Sequence, residues 1–493
     1  MKRLFEKYPL KTTRFLEIFI PLFAWILITM PAWLSFWHPA VVAYLVILFD
    51  VYWFYKSATL AVYGLRSYAK LGTHIKVDWL SEVKKIKDWK KIYHVVIIPE
   101  YKEPLSVLRD TINNLVQQDF PKEKIFVVLA TELRDSQAKE TSNILKDEFS
   151  KFFGQFIITT HPDLPGEVKG KSSNMAWAGK EVVKKISDLK IDINNVTVTS
   201  CDADALLHPK YFSYLTQLFL TDNERYYHFY QAAVMFYSNI WRIPLPGRVL
   251  NTIGSVWSLA KLELKDRLIN FSTYSVSLKT VSDVGYWGTN IIPEDYHLFF
   301  KTYFALGEKV STKPIFLPVM VDAAESTTFS RTMVNQYEQN KRWAWGVSDD
   351  PWVISNFFIH SEIPFWNRFW RLLHLLEEHL LWPVNWFILT LGSTIPPLVN
   401  PAFSRTVLGH NLSLISSIIL TLSAFFLIVI IILDIKLKPP RPKEFKGWKT
   451  PILYLQWISL PVVGFFLSTL PGLDAHTRLM LGKRLEYRVT EKV

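Results

Sequence analysis

Apolar sequence long enough to cross a bilayer stands at both ends of this 493-residue chain, around a long middle of ordinary soluble composition. A chain built this way must fold its ends in lipid and its middle in water. Residues 1–66 read as a basic start (Lys2, Arg3, Lys7, Lys11, Arg14) and two spans, about Phe15–Trp37 and Ala40–Phe54, the second running on toward Tyr63. A cleaved leader fits less well. The apolar run is long, and no small-residue cleavage site precedes the second run.

At the far end, residues 380–493 form a second membrane region in which 380–399 and 412–433 read as spans. Residues 352–379 precede it. There Phe365, Phe369, Leu372, Leu373 and Leu376 share a helical face, while Arg368, Arg371, Glu377 and Glu378 favour lying in the interface over crossing. Residues 451–470 are either a third span or a re-entrant segment interrupted by Pro451, Pro461 and Pro471-Gly472. The basic tail (Arg478, Lys483, Arg484, Arg488, Lys492) favours the re-entrant form, because it belongs on the inner side with the N-terminus.

The formal charge of +12 does not point to nucleic acid. Its basic residues cluster beside apolar segments, as at Lys436, Lys438, Arg441, Lys443 and Lys446, which is positive-inside membrane topology, and no nucleic-acid motif competes. Cys201 is the only cysteine, so an intrachain disulfide and a zinc-thiolate cluster are excluded. Its place after an apolar run predicts a buried strand residue.

Residues 67–351 alternate β-like runs with helical patterns. Tyr93–Ile98 precedes Leu105–Val116, Ile125–Leu129 precedes Gln137–Phe149, Phe156–Thr160 precedes Ser172–Ile186, and Val196–Cys201 follows. This rhythm predicts βαβ crossovers and an α/β domain with a mostly parallel sheet, inserted between the N- and C-terminal transmembrane helices. Ligands of such sheets gather at the C-terminal ends of strands.

The candidate site residues stand at those ends. Pro99, Tyr101 and Glu103 close the first strand, where a tyrosine and a carboxylate can meet a base; the alternative is a turn in which Pro104 starts a helix. Lys171 and Asn174 stand near a helix start suited to phosphate, or form a solvated loop. Asp202 and Asp204 follow an apolar strand. Alternate carboxylates there can hold a hard cation such as Mg²⁺ and orient a sugar, against a helix-capping alternative. Glu294 and Asp295 begin a helical run and are either a cap or an orienting group and a general base. Gln339, Arg342 and Trp343 fall within one helical turn. A guanidinium there can grip diphosphate and an indole can face a sugar ring, or the two are an ordinary surface pair.

Taken in order, these residues resemble the membrane-bound family 2 glycosyltransferases, the group containing cellulose, chitin and hyaluronan synthases, from about Val95 to Trp343. The resemblance implies a GT-A fold, a nucleotide-sugar donor, Mg²⁺ or Mn²⁺, and direct displacement with inversion. Two spans after an inside N-terminus return the middle to the inner side, so the catalytic domain is expected to be cytoplasmic, at the plasma or inner membrane. In the terms of the resemblance Tyr101 and Glu103 meet the base, Asp202 the nucleotide and Asp204 the metal. Asp295 is the base, and Gln339, Arg342 and Trp343 flank diphosphate and acceptor. The chain departs from the pattern where it reads Ala130-Thr131-Glu132 in place of two aspartates, which leaves UDP- and GDP-sugars both open. It departs again at Phe271-Ser272-Thr273-Tyr274, where a glycine-containing acceptor motif is expected. The acceptor is a glycan or polysaccharide chain, or alternatively a polyprenyl phosphate. A nucleotide-binding module without catalysis is the remaining alternative.

Overall fold

The computed structural model describes residues 2–264, 267–443 and 450–485. Of the basic residues expected to orient the ends, Lys446, Arg488 and Lys492 lie outside these.

A short helix α1 (Lys2–Lys7) leads into α2 (Pro9–Trp33), and α3 (Pro39–His74) runs back. Both long helices have proline in their first turn, where its missing N–H is not needed. After α4 (Trp79–Lys84) the chain enters the sheet domain through β1 (Tyr93–Pro99), α5 (Leu105–Val116), β2 (Ile125–Glu132), α6 (Ala138–Phe149), β3 (Gln155–His161), α7 (Lys171–Asp188) and β4 (Val196–Ser200). The four strands lie in the order β3-β2-β1-β4, all parallel. Helices cover both faces, so every residue of β2 and β4 is buried, which is why these strands read as unbroken apolar runs.

The second half of the sheet is mixed. It is built from β5 (Leu206–Leu207), α8 (Tyr211–Thr221), β6 (His228–Met235), α9 (Leu245–Lys261), β7 (Tyr274–Ser277), α10 (Leu278–Asp283), α11 (Glu294–Leu306) and β8 (Ser311–Met320). β7 pairs antiparallel with both β4 and β6, while β6 pairs parallel with β8. The mostly parallel sheet expected from the sequence is therefore parallel only through β4. β7 enters beside β4 in the opposite direction.

Helix α12 (Phe329–Ala344) and α13 (Asp350–Ile359) lead back to the apolar ends, followed by α14 (Phe365–Leu391), α15 (Ile395–Val399), α16 (Pro401–Ser404), α17 (Val407–Leu437), α18 (Thr450–Leu455), α19 (Leu460–Gly464) and α20 (Leu470–Met480). Among the described residues four helical stretches are long and apolar enough to cross a membrane: Pro9–Phe36, Pro39–His74, Val407–Leu437 and Thr450–Met480. Two expectations are redrawn. The segment before residue 380 and the start of the expected span at 380–399 are one helix, α14, which passes through Pro383 and ends at Leu391. The expected break at Pro471-Gly472 is instead the first turn of α20, where Pro471 needs no N–H donor and Gly472 packs flat against Trp382.

The membrane helices are tied to the domain by specific contacts. Arg14 on α2 donates to Leu479 O and Met480 O, capping the end of α20. Lys341 on α12, 6% exposed, pairs with Glu338 at 2.7 Å and Asp474 of α20 at 3.4 Å. A π-turn at Phe465–Thr469 presents its Leu467 carbonyl to Asn340.

Candidate active site

The strand order 3-2-1-4 reverses between β1 and β4, and at this switch point an open α/β sheet forms a crevice beyond its strand ends. Asp202 follows β4 there. Opposite it, Gly170 takes φ +144°, which a side chain would resist, and turns the chain so that Lys171 opens α7 facing the crevice. Lys171 Nζ lies 2.7 Å from Asp202 Oδ1 and 2.7 Å from Glu294 Oε1. The first contact is an aligned hydrogen bond; the second is ionic without that alignment. Burial works against the Lys171 ammonium, but Asp202, Glu294 and Asp295 outweigh it and hold its pKa well above the ordinary value. Burial pushes the Glu294 carboxyl up to about 8, with Lys171 opposing and Asp295 and Asp202 adding to the rise. Glu294 therefore keeps a proton near neutrality.

Ser272 joins the remaining members. Its backbone N–H donates to Asp295 Oδ2 at 3.0 Å, its hydroxyl donates to Asp202 Oδ2 at 2.5 Å, and its carbonyl accepts from Lys171 Nζ at 3.1 Å. It makes all three contacts by adopting φ +56°, a left-handed conformation that costs a non-glycine residue about 1–2 kcal/mol. Asn270 adds a bond to Asp295 O at 2.8 Å, and Thr273 Oγ1 accepts from Asp202 N at 3.1 Å. Sequence reasoning named Ser272 only as part of a departure from the expected motif. Serine gives no sign of a positive φ, which glycine, asparagine or aspartate would have given.

The other expected residues fall as follows. Pro99 ends β1 beside Ala130 of β2. One face of the Tyr101 ring is covered by the Arg134 guanidinium, 3.8 Å from its centroid, so at most the other face is open to a base. Glu103 is half-buried beside it. The buried residue at this corner is Glu100, which sequence reasoning passed over. Burial, then Asp135, Glu103 and Glu132, push its carboxyl up to about 8. Asn174 is 1% exposed and donates to Ala130 O at 2.6 Å, so its amide ties α7 to the end of β2 instead of facing the crevice. Gln339 is buried and held by an amide chain: Asn251 Nδ2 donates to Gln336 Oε1 at 2.7 Å, and Gln336 Nε2 donates to Gln339 Oε1 at 3.1 Å. Arg342 is half-buried, and Trp343 is exposed with its ring 5.5 Å from that of Phe236. The end of this segment reaches the carboxylate cluster through Tyr296, next to Asp295, whose hydroxyl donates to Gly346 O. Cys201 is fully buried in the core and its thiol is pushed up by burial.

Asp204 is 9% exposed, and its Oδ2 accepts from Asp322 N at 3.1 Å. Among the described residues no group of three or more His, Cys, Asp or Glu converges on one point, so the protein offers no closed cage. Asp202 and Asp204 fit a hard cation held by one or two carboxylates and completed by water and substrate phosphate. They do not fit a structural metal.

Residues 197–433 match the family model described as glycosyl transferase family group 2. No curated protein matches the chain. Among solved structures, the mannosyltransferase PcManGT from Pyrobaculum calidifontis, in complex with GDP-Man and Mn2+, is similar over 76% of this chain and 99% of its own, at 14% identity and a TM-score of 0.40. A fragment of TarS from S. aureus in complex with UDP-GlcNAc is similar over 68% of this chain and 90% of its own, at 12% identity and a TM-score of 0.37. The family match runs from β4 through Asp202, Asp204, Glu294, Asp295 and Gln339–Trp343 into α17, on the mixed α/β sheet, and supports a glycosyltransferase.

Proposed function

We propose that the chain moves a sugar from a UDP- or GDP-sugar to a hydroxyl of a glycan or polysaccharide acceptor at the membrane. The reaction inverts the anomeric carbon and uses Mg²⁺ or Mn²⁺. The observation that carries the reading is the gathering of Asp202, after β4, with Glu294 and Asp295, at the start of α11, around Lys171 and Ser272.

In this reading Asp295 is the general base. Two backbone donors, Ser272 N and Tyr296 N, fix its carboxylate. It takes the acceptor proton as the acceptor oxygen bonds to the anomeric carbon. The bond from that carbon to the diphosphate breaks, and the nucleoside diphosphate leaves. A positioned base of this kind contributes about 10²–10⁴-fold. Glu294 keeps its proton and holds Lys171, whose charge faces Asp202 and the donor. Arg342 and Gln339 approach the diphosphate, Trp343 faces the acceptor, and Tyr101 with Glu103 meets the base. A bound cation would be held by Asp204 beside Asp202 and would stabilise the charge growing on the diphosphate. In this reading the domain faces the cytoplasm, where nucleotide sugars are available.

The test is release of nucleotide by protein purified in detergent with Mg²⁺ or Mn²⁺, across UDP- and GDP-sugars. One donor supports turnover, and Asp295→Asn binds that donor while losing nearly all turnover. No release from any donor, or an Asp295→Asn variant at the wild-type rate, overturns the reading.

A further inference from the structure

We infer that Glu100 is a positioning residue for donor binding: by sharing one proton with Asp135 it holds the Tyr101–Glu103 turn in the shape that takes the nucleotide. The inference rests on the transferase reading above, in which Tyr101 and Glu103 meet the base.

The pair stands where two strand ends meet. Glu100 follows β1, and its backbone N–H donates to Ala130 O of β2 at 2.9 Å. The same carbonyl accepts from Asn174 of α7 at 2.6 Å, so Glu100 is fixed beside both the neighbouring strand and the helix that Lys171 opens. Asp135 belongs to the turn after β2. Its two carboxylate oxygens accept from backbone donors, Lys102 N at 2.8 Å and Gln137 N at 3.0 Å. With both oxygens accepting, Asp135 is the acceptor of the pair. Glu100, 3% exposed and hydrogen-bonded to it, is the partner that brings the proton. An ionised carboxylate only accepts, so a hydrogen bond between two carboxyls needs that proton.

Nothing at this corner replaces it. The charged groups acting on Glu100 are Asp135 and Glu132 from the end of β2 and Glu103 from its own turn, all of one sign. The cations of the corner, Arg134 and Lys102, lie over the Tyr101 ring at 3.8 and 5.2 Å from its centroid, and Arg134 is already paired with Glu132. Glu100 Oε2 is buried without a hydrogen-bond partner. A neutral carboxyl bears that at modest cost, whereas a carboxylate does not.

The pair reaches the donor through one peptide. Lys102 takes φ +58°, a left-handed conformation that is costly for a non-glycine residue, and the bond from its N–H to Asp135 offsets that cost. Lys102 lies between Tyr101 and Glu103, so its backbone sets the direction of both side chains. When Glu100 ionises it repels Asp135, and the anchor of Lys102 moves with it. Glu100 thus acts on the nucleotide through Asp135 and Lys102.

Nucleotide titration of the full-length protein in detergent with Mg²⁺, at pH 7 and pH 9, tests the pair. Burial, then the three carboxyls, push the Glu100 carboxyl up to about 8. About nine molecules in ten then hold the proton at pH 7 and about one in ten at pH 9, so wild-type affinity for the better of UDP and GDP falls about tenfold between them. Glu100→Gln donates the same hydrogen bond without titrating. It binds as wild type at pH 7, and its loss by pH 9 is about tenfold smaller. Ionisation of the nucleotide and of Glu294 is common to both proteins and cancels in the comparison. Glu100→Leu cannot donate and binds about tenfold more weakly at pH 7.

Thermal unfolding of wild type and Glu100→Gln reads the proton without the donor. The folded pKa lies above the unfolded one, so the wild type loses stability as pH rises from the ordinary carboxylate range to about 8, and Glu100→Gln loses less over that range. Equal thermal pH slopes overturn the inference. So do equal losses of affinity by pH 9 in wild type and Glu100→Gln, or wild-type affinity of Glu100→Leu at pH 7. No nucleotide binding at either pH, with the thermal difference present, overturns the transferase reading instead.

Discussion

Removing the Lys171 charge has a signature that can be worked out from the cluster around it. Lys171→Met keeps the length of the side chain and deletes an ammonium that lies 2.7 Å from both Asp202 and Glu294. Breaking a buried pair by removing one partner costs about 3–5 kcal/mol, because a charge is left uncompensated. Glu294 already keeps its proton near neutrality, so the uncompensated charge there falls on the other carboxyls. Its carboxyl is already pushed up to about 8 by burial, and Lys171 is what pulls it down, so loss of Lys171 raises it further. A carboxyl whose folded pKa exceeds its unfolded value binds more protons in the native state. Native stability therefore falls as pH rises from the ordinary carboxylate range to the folded pKa, by at most about 1.4 kcal/mol per pH unit. In the wild type that fall ends near pH 8; in Lys171→Met it continues above. The cost of the substitution is thus roughly constant below about pH 8 and grows beyond it. Thermal unfolding in detergent near neutrality and one to two units above pH 8 reads this directly. Glu294→Gln, which imitates the neutral form, costs little near neutrality and removes the extra alkaline loss when combined with Lys171→Met. An equal cost for Lys171→Met at both pH values, or a double variant as pH-sensitive as the single one, refutes the charge assignment.

Ser272 separates two effects in one residue. Ser272→Gly loses the hydroxyl on Asp202 but relieves the left-handed backbone, whereas Ser272→Ala loses the hydroxyl and keeps the strain. The alanine variant therefore melts below the glycine variant by about 1–2 kcal/mol, and thermal unfolding of the pair shows the order. Both variants weaken donor binding by about tenfold, the value of one hydrogen bond to a charged group, as measured by nucleotide titration. Asp204→Ala loses metal-dependent donor affinity while keeping the fold; metal titration of donor binding with unchanged dependence rejects its role. Asn251→Leu strands the Gln336 amide and frees Gln339, lowering turnover with less effect on donor affinity, which steady-state kinetics separates.

How much of this was legible in the sequence depended on burial and turn chemistry. β1 to β4 were visible because parallel strands covered on both faces read as apolar runs between helical patterns. The strands of the second half were not. β7 has four residues, and β8 carries Pro314 and Pro318 across a register shift against Ala232 and Ala233, where a run of strand-forming residues is broken by residues that ordinarily argue against a strand. The acidic residues at strand ends were legible as candidates because the α/β rhythm fixes where loops open. The residue that links them was not, because the conformation of Ser272 is imposed by its three partners and leaves no local mark. Glu100 was hidden for a similar reason: its high pKa comes from burial and from carboxyls on another strand end.

The membrane ends also act on the site. Gln339, Arg342 and Trp343 sit on α12, and α12 is gripped from the apolar side by Asp474 on Lys341 and by the Leu467 carbonyl on Asn340. That carbonyl lies in the π-turn of 465–469, where the extra residue per turn aims it away from the helix path, an irregularity common at functional sites. α20 is in turn fixed to α2 through Arg14. At its other end α12 leads into Gly346, which has no room for a side chain: an added Cβ would lie 2.9 Å from His379 and 3.0 Å from Tyr296. Tyr296 stands next to Asp295, so the segment proposed to face diphosphate and acceptor is set against the proposed base by contacts that begin in the apolar C-terminal helices. Cutting the chain after α17 would leave the sheet and all three carboxylates intact, yet would release α12 from Asp474 and Leu467. If α12 works as proposed, the C-terminal helices position it as well as anchor the chain.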